Sequence, residues 1–425
     1  MQIEYVFFLI YLATCFWLFP KLAFFKNSGL NTLELRILLA GKMATSAGIA
    51  FYLSTLPNSD YLSYNNAGLL QYEFLKSSPL SFFTDFGNVN QNAGIQDLFK
   101  SSYSFWADIR SSLIYKFIAL CNLCSAGNFY LNAVLFSSLV FFGHIAFFRT
   151  FGAIYPDKKW LLLAACFLLP SLLIYTSCVH KDGFVFVALA AICYVFQQFL
   201  SKPRFPGLGK SVVLVLALIL IFMFRNYVLV ALLPALFAVL LSRMLPFKRR
   251  VVVPVCYAVY LVLFFLSGYL SPALHLPEAV VKRKADFALL EKGNTTMPMN
   301  ELQPTATSFI TNIPQAINHT FLRPYLWESA APGVQLAAME LLLYQLLFFL
   351  MLLQQFKSRE RLHDFNVFGI LFFISMMLII GYTIPNIGAI VRYRSIFWVL
   401  VITPVLCNIN WQKLIGRWGI QQTLS

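Results

Sequence analysis

Five groups of titratable and aromatic residues interrupt the apolar runs of this chain. They combine cations, which bind phosphate, with aromatic rings, which pack against sugars and isoprenoids, and with carboxylates, which can take a proton from a hydroxyl. A site for a sugar carried on a polyprenyl phosphate or diphosphate needs these side chains. The groups are Asp60 with Tyr61 and Tyr64; His180 with Lys181 and Asp182; Arg225; Arg323 with Tyr325, Trp327 and Glu328; and Arg392 with Tyr393 and Arg394.

Asp60 is the predicted general base. It follows Pro57, Asn58 and Ser59 and precedes an amphipathic segment, so its carboxylate is expected at the water boundary, within reach of an acceptor hydroxyl. The alternative is a helix cap, because Asp is among the commonest residues that accept N–H bonds at a helix N-terminus. The other candidate catalytic carboxylates are Asp182 and Glu328.

Six cations are the predicted ligands of the donor phosphate: His180, Lys181, Arg225, Arg323, Arg392 and Arg394. For His180 and Lys181 the alternative is that they reach water at a helix end and pair with Asp182. Arg225 follows a fourteen-residue apolar run, which as a helix is about 21 Å long, shorter than the roughly 30 Å hydrocarbon core. It is therefore expected below the surface, paired with Asp182, Glu328 or a ligand phosphate.

Two pairs allow both a structural and a functional interpretation. Arg392 and Arg394 are two residues apart, so on a helix their directions differ by about 200°; they are either interface charges or anion ligands. Arg323 and Glu328 either bridge each other or belong to the site. The predicted sugar or lipid contacts are Tyr61, Tyr64, Tyr325, Trp327 and Tyr393.

The composition indicates what holds these residues. Hydrophobic residues are 59% of the 425 and charged residues 12%, against about 25% charged in soluble domains, so the sequence predicts an all-α integral membrane protein. The net charge of +15 is attributed to Lys and Arg in loops and not to nucleic-acid binding. Cys121 and Cys124 form a CxxC without a second pair or a neighbouring His, so no metal site is predicted and a divalent-metal requirement is left open.

Apolar runs of spanning length predict about eleven transmembrane helices in a single polytopic domain, 1–425. Lys and Arg fall in every second connection, which predicts an extracytoplasmic N-terminus and a cytoplasmic C-terminus in a bacterial inner membrane. Segment 57–127 is predicted to form amphipathic helices on the outer face, and 271–333 an outer flap. The predicted spans are 3–20, 36–56, 128–148, 160–178, 184–200, 211–224, 227–243, 251–270, 334–355, 365–383 and 394–410.

Four pieces of the sequence resemble bacterial polytopic proteins of cell-surface polysaccharide loci, which are similar to GT-C-type glycosyltransferases. Such enzymes take sugars from lipid carriers on the outer face and have an acidic residue in the first outer loop. Asp60 matches that position. The resemblance implies a GT-C-like fold, a lipid-linked sugar as donor, a glycan acceptor and the bilayer as partners. Many of these enzymes have an acidic pair in that loop, whereas the next acid here is Glu73. The pieces are SDYLSYNNAG from Ser59, PSLLIYTSCVHKDG from Pro170, LRPYLWES from Leu322 and PNIGAIVRYR from Pro385.

Three functions compete on this sequence. The first is a glycosyltransferase that uses a polyprenyl-phosphate sugar and Asp60 as base, and the second is an O-antigen or exopolysaccharide polymerase that uses a diphosphate carrier. The third is a non-enzymatic transporter or flippase of lipid-linked glycans. Transporters favour inverted repeats and charges near the membrane midplane; here no repeat is visible and the charges gather at one face, although Arg225 alone fits a transporter.

Overall fold

A computed structural model describes residues 3–56, 59–85, 105–270, 274–289, 295–355 and 362–417. Within these ranges the regular elements are helices, joined by one isolated β-bridge between Thr296 and Asn386, which confirms the all-α class. The helices are α1 (Ile3–Leu18), α2 (Ala23–Lys26), α3 (Thr32–Ser54), α4 (Asp60–Ser77), α5 (Pro79–Thr84), α6 (Phe105–Ser125), α7 (Phe129–Gly152), α8 (Lys159–Phe167), α9 (Pro170–Tyr175), α10 (Lys181–Ser201), α11 (Leu208–Arg225), α12 (Tyr227–Met244), α13 (Arg249–Leu270), α14 (Leu276–Leu289), α15 (Ala306–Thr311), α16 (Ile313–Ile317), α17 (Pro332–Gln355), α18 (Asp364–Thr383), α19 (Ile387–Ser395), α20 (Val399–Asn408) and α21 (Trp411–Arg417).

Several of these helices are long and apolar enough to cross a membrane. Within the described ranges there are seven such stretches, or up to eight if α19 and α20, which are bent by 67°, form one span. The chain is therefore a multi-pass membrane protein, and the number eleven stays a prediction. The stretches are Thr32–Ser54, Phe129–Gly152, Lys181–Ser201, Leu208–Met244, Arg249–Leu270, Pro332–Gln354 and Asp364–Thr383.

The longest apolar stretch contains α11 and α12, which run in opposite directions. Arg225, the last residue of α11, binds Asp182 at the start of α10. Arg243, near the end of α12, donates to the backbone carbonyl of Leu200 at the other end of α10. Asp182 and Leu200 are about 27 Å apart along that helix, so the chain must reverse at Asn226.

Pro170 breaks one predicted span into α8 and α9. Leu169, just before it, is extended, with φ −65° and ψ 117°, because a residue that precedes proline avoids the helical region. The backbone that follows α9 is tied to α3: the ammonium of Lys42 donates to the carbonyl oxygen of Thr176 at 3.3 Å and to its hydroxyl at 3.1 Å. This segment then leads directly to His180.

The bundle has two chemically different ends. At the site end, defined by Asp60, Asp182, Arg225 and Arg392, α4, α10, α11 and α19 meet. At the opposite, basic end, Lys159 pairs with Glu34, and Arg243 and Arg249 both pair with Asp364. Among the described residues, basic connections that the sequence assigned to one membrane side thus meet at one end of the bundle.

Candidate functional site

Asp182 is the buried centre of the site. It lies in the first turn of α10 and is 1% exposed. One carboxylate oxygen accepts a hydrogen bond from the Arg225 guanidinium. The other lies 2.9 Å from Nδ1 of His180 and 3.9 Å from Nε of Arg392. One carboxylate therefore holds two guanidinium groups from distant parts of the chain.

His180 is the N-cap of α10, and its Nδ1 accepts the backbone N–H of Asp182 at 3.4 Å. Nδ1 also lies 2.9 Å from one oxygen of the Asp182 carboxylate, so the tautomer decides which of these two contacts is a hydrogen bond. The imidazole packs against the rings of Tyr61 and Tyr64, with centroids 5.0 and 5.6 Å away. Burial lowers the pKa of His180 to about 4, so the ring is neutral near pH 7.

Arg225 has three close partners. Besides its ion pair with Asp182, its Nη1 donates to the hydroxyl of Tyr227 at 2.5 Å. Its guanidinium carbon stands 3.8 Å from the ring centroid of Tyr393. Arg225 is 4% exposed, as the short apolar run before it predicts. Of the three predicted partners, which were Asp182, Glu328 and a ligand phosphate, the structure shows Asp182.

Two further arginines, which were not predicted from the sequence, belong to this group. Arg110 of α6 donates from Nε to the carbonyl of Met223 at 3.0 Å. Burial, and then the neighbouring charges of Arg283 and Arg225, lower its pKa. The guanidinium of Arg283, in α14, lies 4.1 Å from the ring centroid of Tyr227. We call Arg110, Lys181, Arg225, Arg283 and Arg392 the cationic cluster.

Both arginines lie in the long segments 57–127 and 271–333, where the charge rule for loops does not apply. Helical spacing could have predicted one of the two, Arg283. Arg283 and Phe287 are four residues apart on α14 and therefore share a face, and both line the site: Phe287 packs edge-on against Tyr393.

Buried donors without acceptors concentrate in the same place. Among the described side chains, three such donors lie around Asp182, the hydroxyl of Tyr61 and Nε of both Arg225 and Arg392; Nε2 of His180 and Oδ2 of Asp182 itself also have no partner. A buried donor left unpaired costs about 1–3 kcal/mol, and each such group in a native protein calls for an explanation. Three donors around one point, beside five cations, fit a ligand that carries several anionic oxygens.

Asp60 stands at the exposed edge of the cluster. It is the first residue of α4 and not its N-cap, which is Ser59, so the capping interpretation does not describe its position. Its side chain is 58% exposed, and one oxygen lies 3.3 Å from Nη1 of Arg392. Asp60 is thus a solvent-accessible carboxylate next to a cation of the cluster.

The remaining predicted residues form a second group. Arg323 pairs with Glu328 at 2.8 Å, which is the bridging alternative that the sequence offered. The rings of Tyr325 and Trp327 are stacked, with centroids 5.1 Å apart. Arg394 diverges from Arg392 on the helix, as expected: its Nη1 donates to the carbonyls of Thr320 at 2.5 Å and Arg323 at 2.7 Å. The structure does not bring these five side chains to Asp182.

An apolar cavity of about 770 Å³ adjoins the cationic cluster. It lies between α12, α13, α14, α15 and α18, and its lining includes Tyr227 and Arg283. From Tyr382 near the site end it extends along α18 to Leu371, about 16 Å at the helical rise. One space therefore joins the cluster to the apolar interior of the membrane domain.

No family model, curated protein or solved structure matches this chain. Among the described residues, no group of three or more His, Cys, Asp or Glu side chains is arranged to hold a metal ion.

Proposed function

We propose that this protein is a GT-C-like membrane glycosyltransferase that moves a sugar from a polyprenyl-phosphate-type carrier to a glycan acceptor. The observation that carries the proposal is the junction at Tyr227 and Arg283, where the apolar cavity meets the cationic cluster. An isoprenoid chain suits the cavity and its phosphate suits the cations. A water-soluble sugar nucleotide would have no use for the apolar part.

The residues divide into four roles. Arg225, Arg283, Arg392 and Lys181 hold the donor phosphate, with Nε2 of His180 as a further donor when it carries the proton. Asp182 fixes the two guanidinium groups and is a positioning residue, because its oxygens already face cations. The tyrosines of α4 offer faces to the sugar, and Arg394 serves the fold through backbone carbonyls.

Asp60 is the base in this mechanism. Its carboxylate takes the proton of an acceptor hydroxyl while that oxygen bonds to the anomeric carbon of the donor sugar. The bond between the anomeric carbon and the phosphate oxygen breaks, and the carrier phosphate leaves with one additional negative charge. Arg392, 3.3 Å from Asp60, is placed to stabilise that charge.

A diphosphate-linked donor is the second candidate, which would make the protein an O-antigen or exopolysaccharide polymerase. The observation that favours it is the excess of charge: five cations share the site with the carboxylates of Asp60 and Asp182. The test uses purified protein in lipid nanodiscs, supplied with a soluble glycan and with either the monophosphate-linked or the diphosphate-linked donor. The donor that gives the faster product formation identifies the carrier. A flippase would move the donor without a new glycosidic bond.

Filling the cavity tests the lipid part of the proposal. Ala279 lines it, so Ala279→Phe should lower transfer from a long-chain donor and spare transfer from a donor with a truncated chain. Ala258→Phe, on the exposed face of α13, is the matched control. Equal loss of transfer with both donors would mean that the cavity does not hold the carrier chain.

The proposed orientation places the site end outside a bacterial inner membrane and the basic end in the cytoplasm. In a cysteine-free background, Trp327→Cys, which replaces an 82% exposed side chain, should react with an impermeant thiol reagent in spheroplasts. Arg204→Cys should react with the same reagent only after the spheroplasts are lysed. The reverse pattern would invert the topology.

A further inference from the structure

A second cavity of about 770 Å³ lies at the basic end, remote from the proposed site. It is bounded by the connection before α3, the end of α7, the end of α10 and the connection 202–207 that leads into α11. The cationic cluster is at the other end of α10, about 27 Å away along the helix axis. The chemistry of the donor site therefore does not account for this cavity.

The walls of this cavity are cationic. Arg149, Lys159, Lys202, Arg204 and Lys210 line it, and its described lining contains no carboxylate. Lys159 is neutralised by Glu34, at 2.7 and 2.9 Å, which leaves four cations around the space.

Arg149, which lines the cavity, is held in place by neighbouring groups. Its Nη1 donates to the carbonyl of Phe24 at 2.9 Å, and its guanidinium stacks on the rings of Phe24 and Tyr194. A guanidinium held in this way loses little freedom when it binds an anion.

Two more features of the lining point to a polar, anionic ligand. Gln197 is 2% exposed, and its Oε1 has no hydrogen-bond partner among the described residues; this oxygen suits a ligand hydroxyl. The eighteen-residue helix α11 begins at the wall of the cavity, and its N-cap Gly207 provides no side-chain cap. The positive end of the helix dipole adds positive potential near Lys210.

The rim suits a ligand that comes from the bilayer. Phe205 and Leu208, which flank the cationic walls, are 96% and 84% exposed. Large apolar side chains beside Lys and Arg at the end of a spanning helix are typical of the membrane interface. A headgroup in the cavity would have its acyl chains beside these two residues.

We propose that the basic-end cavity binds the headgroup of an anionic phospholipid that carries hydroxyls, such as phosphatidylglycerol. The phosphate meets Arg149, Lys202, Arg204 and Lys210, and a glycerol hydroxyl donates to Gln197. Basic pockets between helices on the cytoplasmic side of membranes have the right charge for such headgroups. The inference does not depend on the glycosyltransferase activity.

Native mass spectrometry of the full-length protein, titrated with phosphatidylglycerol and with zwitterionic phosphatidylethanolamine, tests it. Wild type should bind phosphatidylglycerol preferentially. The triple variant Lys202→Gln, Arg204→Gln, Lys210→Gln should weaken that binding roughly 10- to 100-fold, since each cation near an anionic surface contributes measurably. A matched triple variant, Lys248→Gln, Arg250→Gln, Lys413→Gln, removes the same charge at the same end from outside the cavity and should bind as wild type does.

Equal loss in both triple variants, or equal binding of the two lipids, would overturn the proposal. Displacement of the lipid by inorganic phosphate at matched concentration would also overturn the proposal, because the site would then bind free phosphate. A measurement on wild type guards against a variant that misfolds: phosphatidylglycerol in nanodiscs should protect Lys210 from amine acylation several-fold more than it protects Lys248. Equal protection would contradict the assignment.

Discussion

The surroundings of Glu340 and of Asp182 both bury a carboxylate among apolar helices, but they differ in how many polar atoms have partners. Glu340 accepts from the N–H of Ser171 at 3.1 and 3.2 Å, from its hydroxyl at 3.1 Å, and from the hydroxyl of Tyr344. Around Asp182, three donors, Nε2 of His180 and one oxygen of Asp182 have no hydrogen-bond partner among the described residues. The first network is complete as it stands and ties α17 to α9, whereas the second keeps unpaired donors that the proposed function assigns to an anionic ligand.

In the proposed function, this difference separates structural from ligand-binding residues. Variants of the Glu340 network should lower stability and leave donor binding intact, and variants around Asp182 should do the reverse. The predictions below test that separation, beginning with the residue at the exposed edge of the cluster.

Asp60→Asn should reduce turnover roughly 100- to 10,000-fold, the usual contribution of a positioned proton acceptor. The amide keeps the size of the side chain but cannot take the proton, so insertion and donor affinity should stay near wild type. Turnover at matched membrane abundance is the measurement. Glu73→Gln is the control, since Glu73 is an exposed acid on the same helix, paired with Lys76. Normal turnover of Asp60→Asn would move the base elsewhere.

Glu340→Leu should lower the free energy of unfolding by about 2–4 kcal/mol, because it leaves the N–H of Ser171 and two hydroxyls buried without an acceptor. Thermal unfolding in detergent measures this, and donor affinity of the folded fraction should not change. Glu340→Gln keeps an acceptor and should recover much of the loss. A Glu340→Leu protein with normal stability but weakened donor binding would put Glu340 in the site.

Parts of this picture follow from the sequence, and the structure shows why others do not. The short run before Arg225 is enough to predict its burial, and the two-residue spacing of Arg392 and Arg394 predicts that they diverge. The approach of Arg392 to Asp60 joins positions 332 apart, for which no local pattern exists. Glu340 escaped because one acid in a long apolar run does not change a helix prediction.

Arg225→Lys should weaken donor binding roughly 10- to 100-fold, the equivalent of one charge-assisted hydrogen bond of about 1.5–3 kcal/mol. Lysine keeps the charge but loses the planar fork that contacts Asp182 and Tyr227 together. Isothermal titration with the lipid-linked donor measures the affinity. Arg394→Lys is the matched control: it should lower the unfolding temperature, since Arg394 binds two backbone carbonyls, and leave the affinity unchanged. Equal affinity loss in both would erase the distinction between the two arginines.

The smallest expected effect concerns His180 and pH. Burial lowers its pKa to about 4, below the roughly 6.5 of an unfolded chain, so between these values the unfolded state binds more protons and stability falls as pH falls. From pH 7 to 5.5, His180 should cost wild type about 1 kcal/mol of unfolding free energy. His180→Asn keeps a helix cap without a titrating ring, and the difference between the two proteins removes the contribution of the other histidines. The wild-type curve should therefore be steeper over this interval. Parallel curves would mean that His180 titrates normally and is charged at mildly acid pH, in which case it would belong with the cations of the cluster and not with its neutral donors.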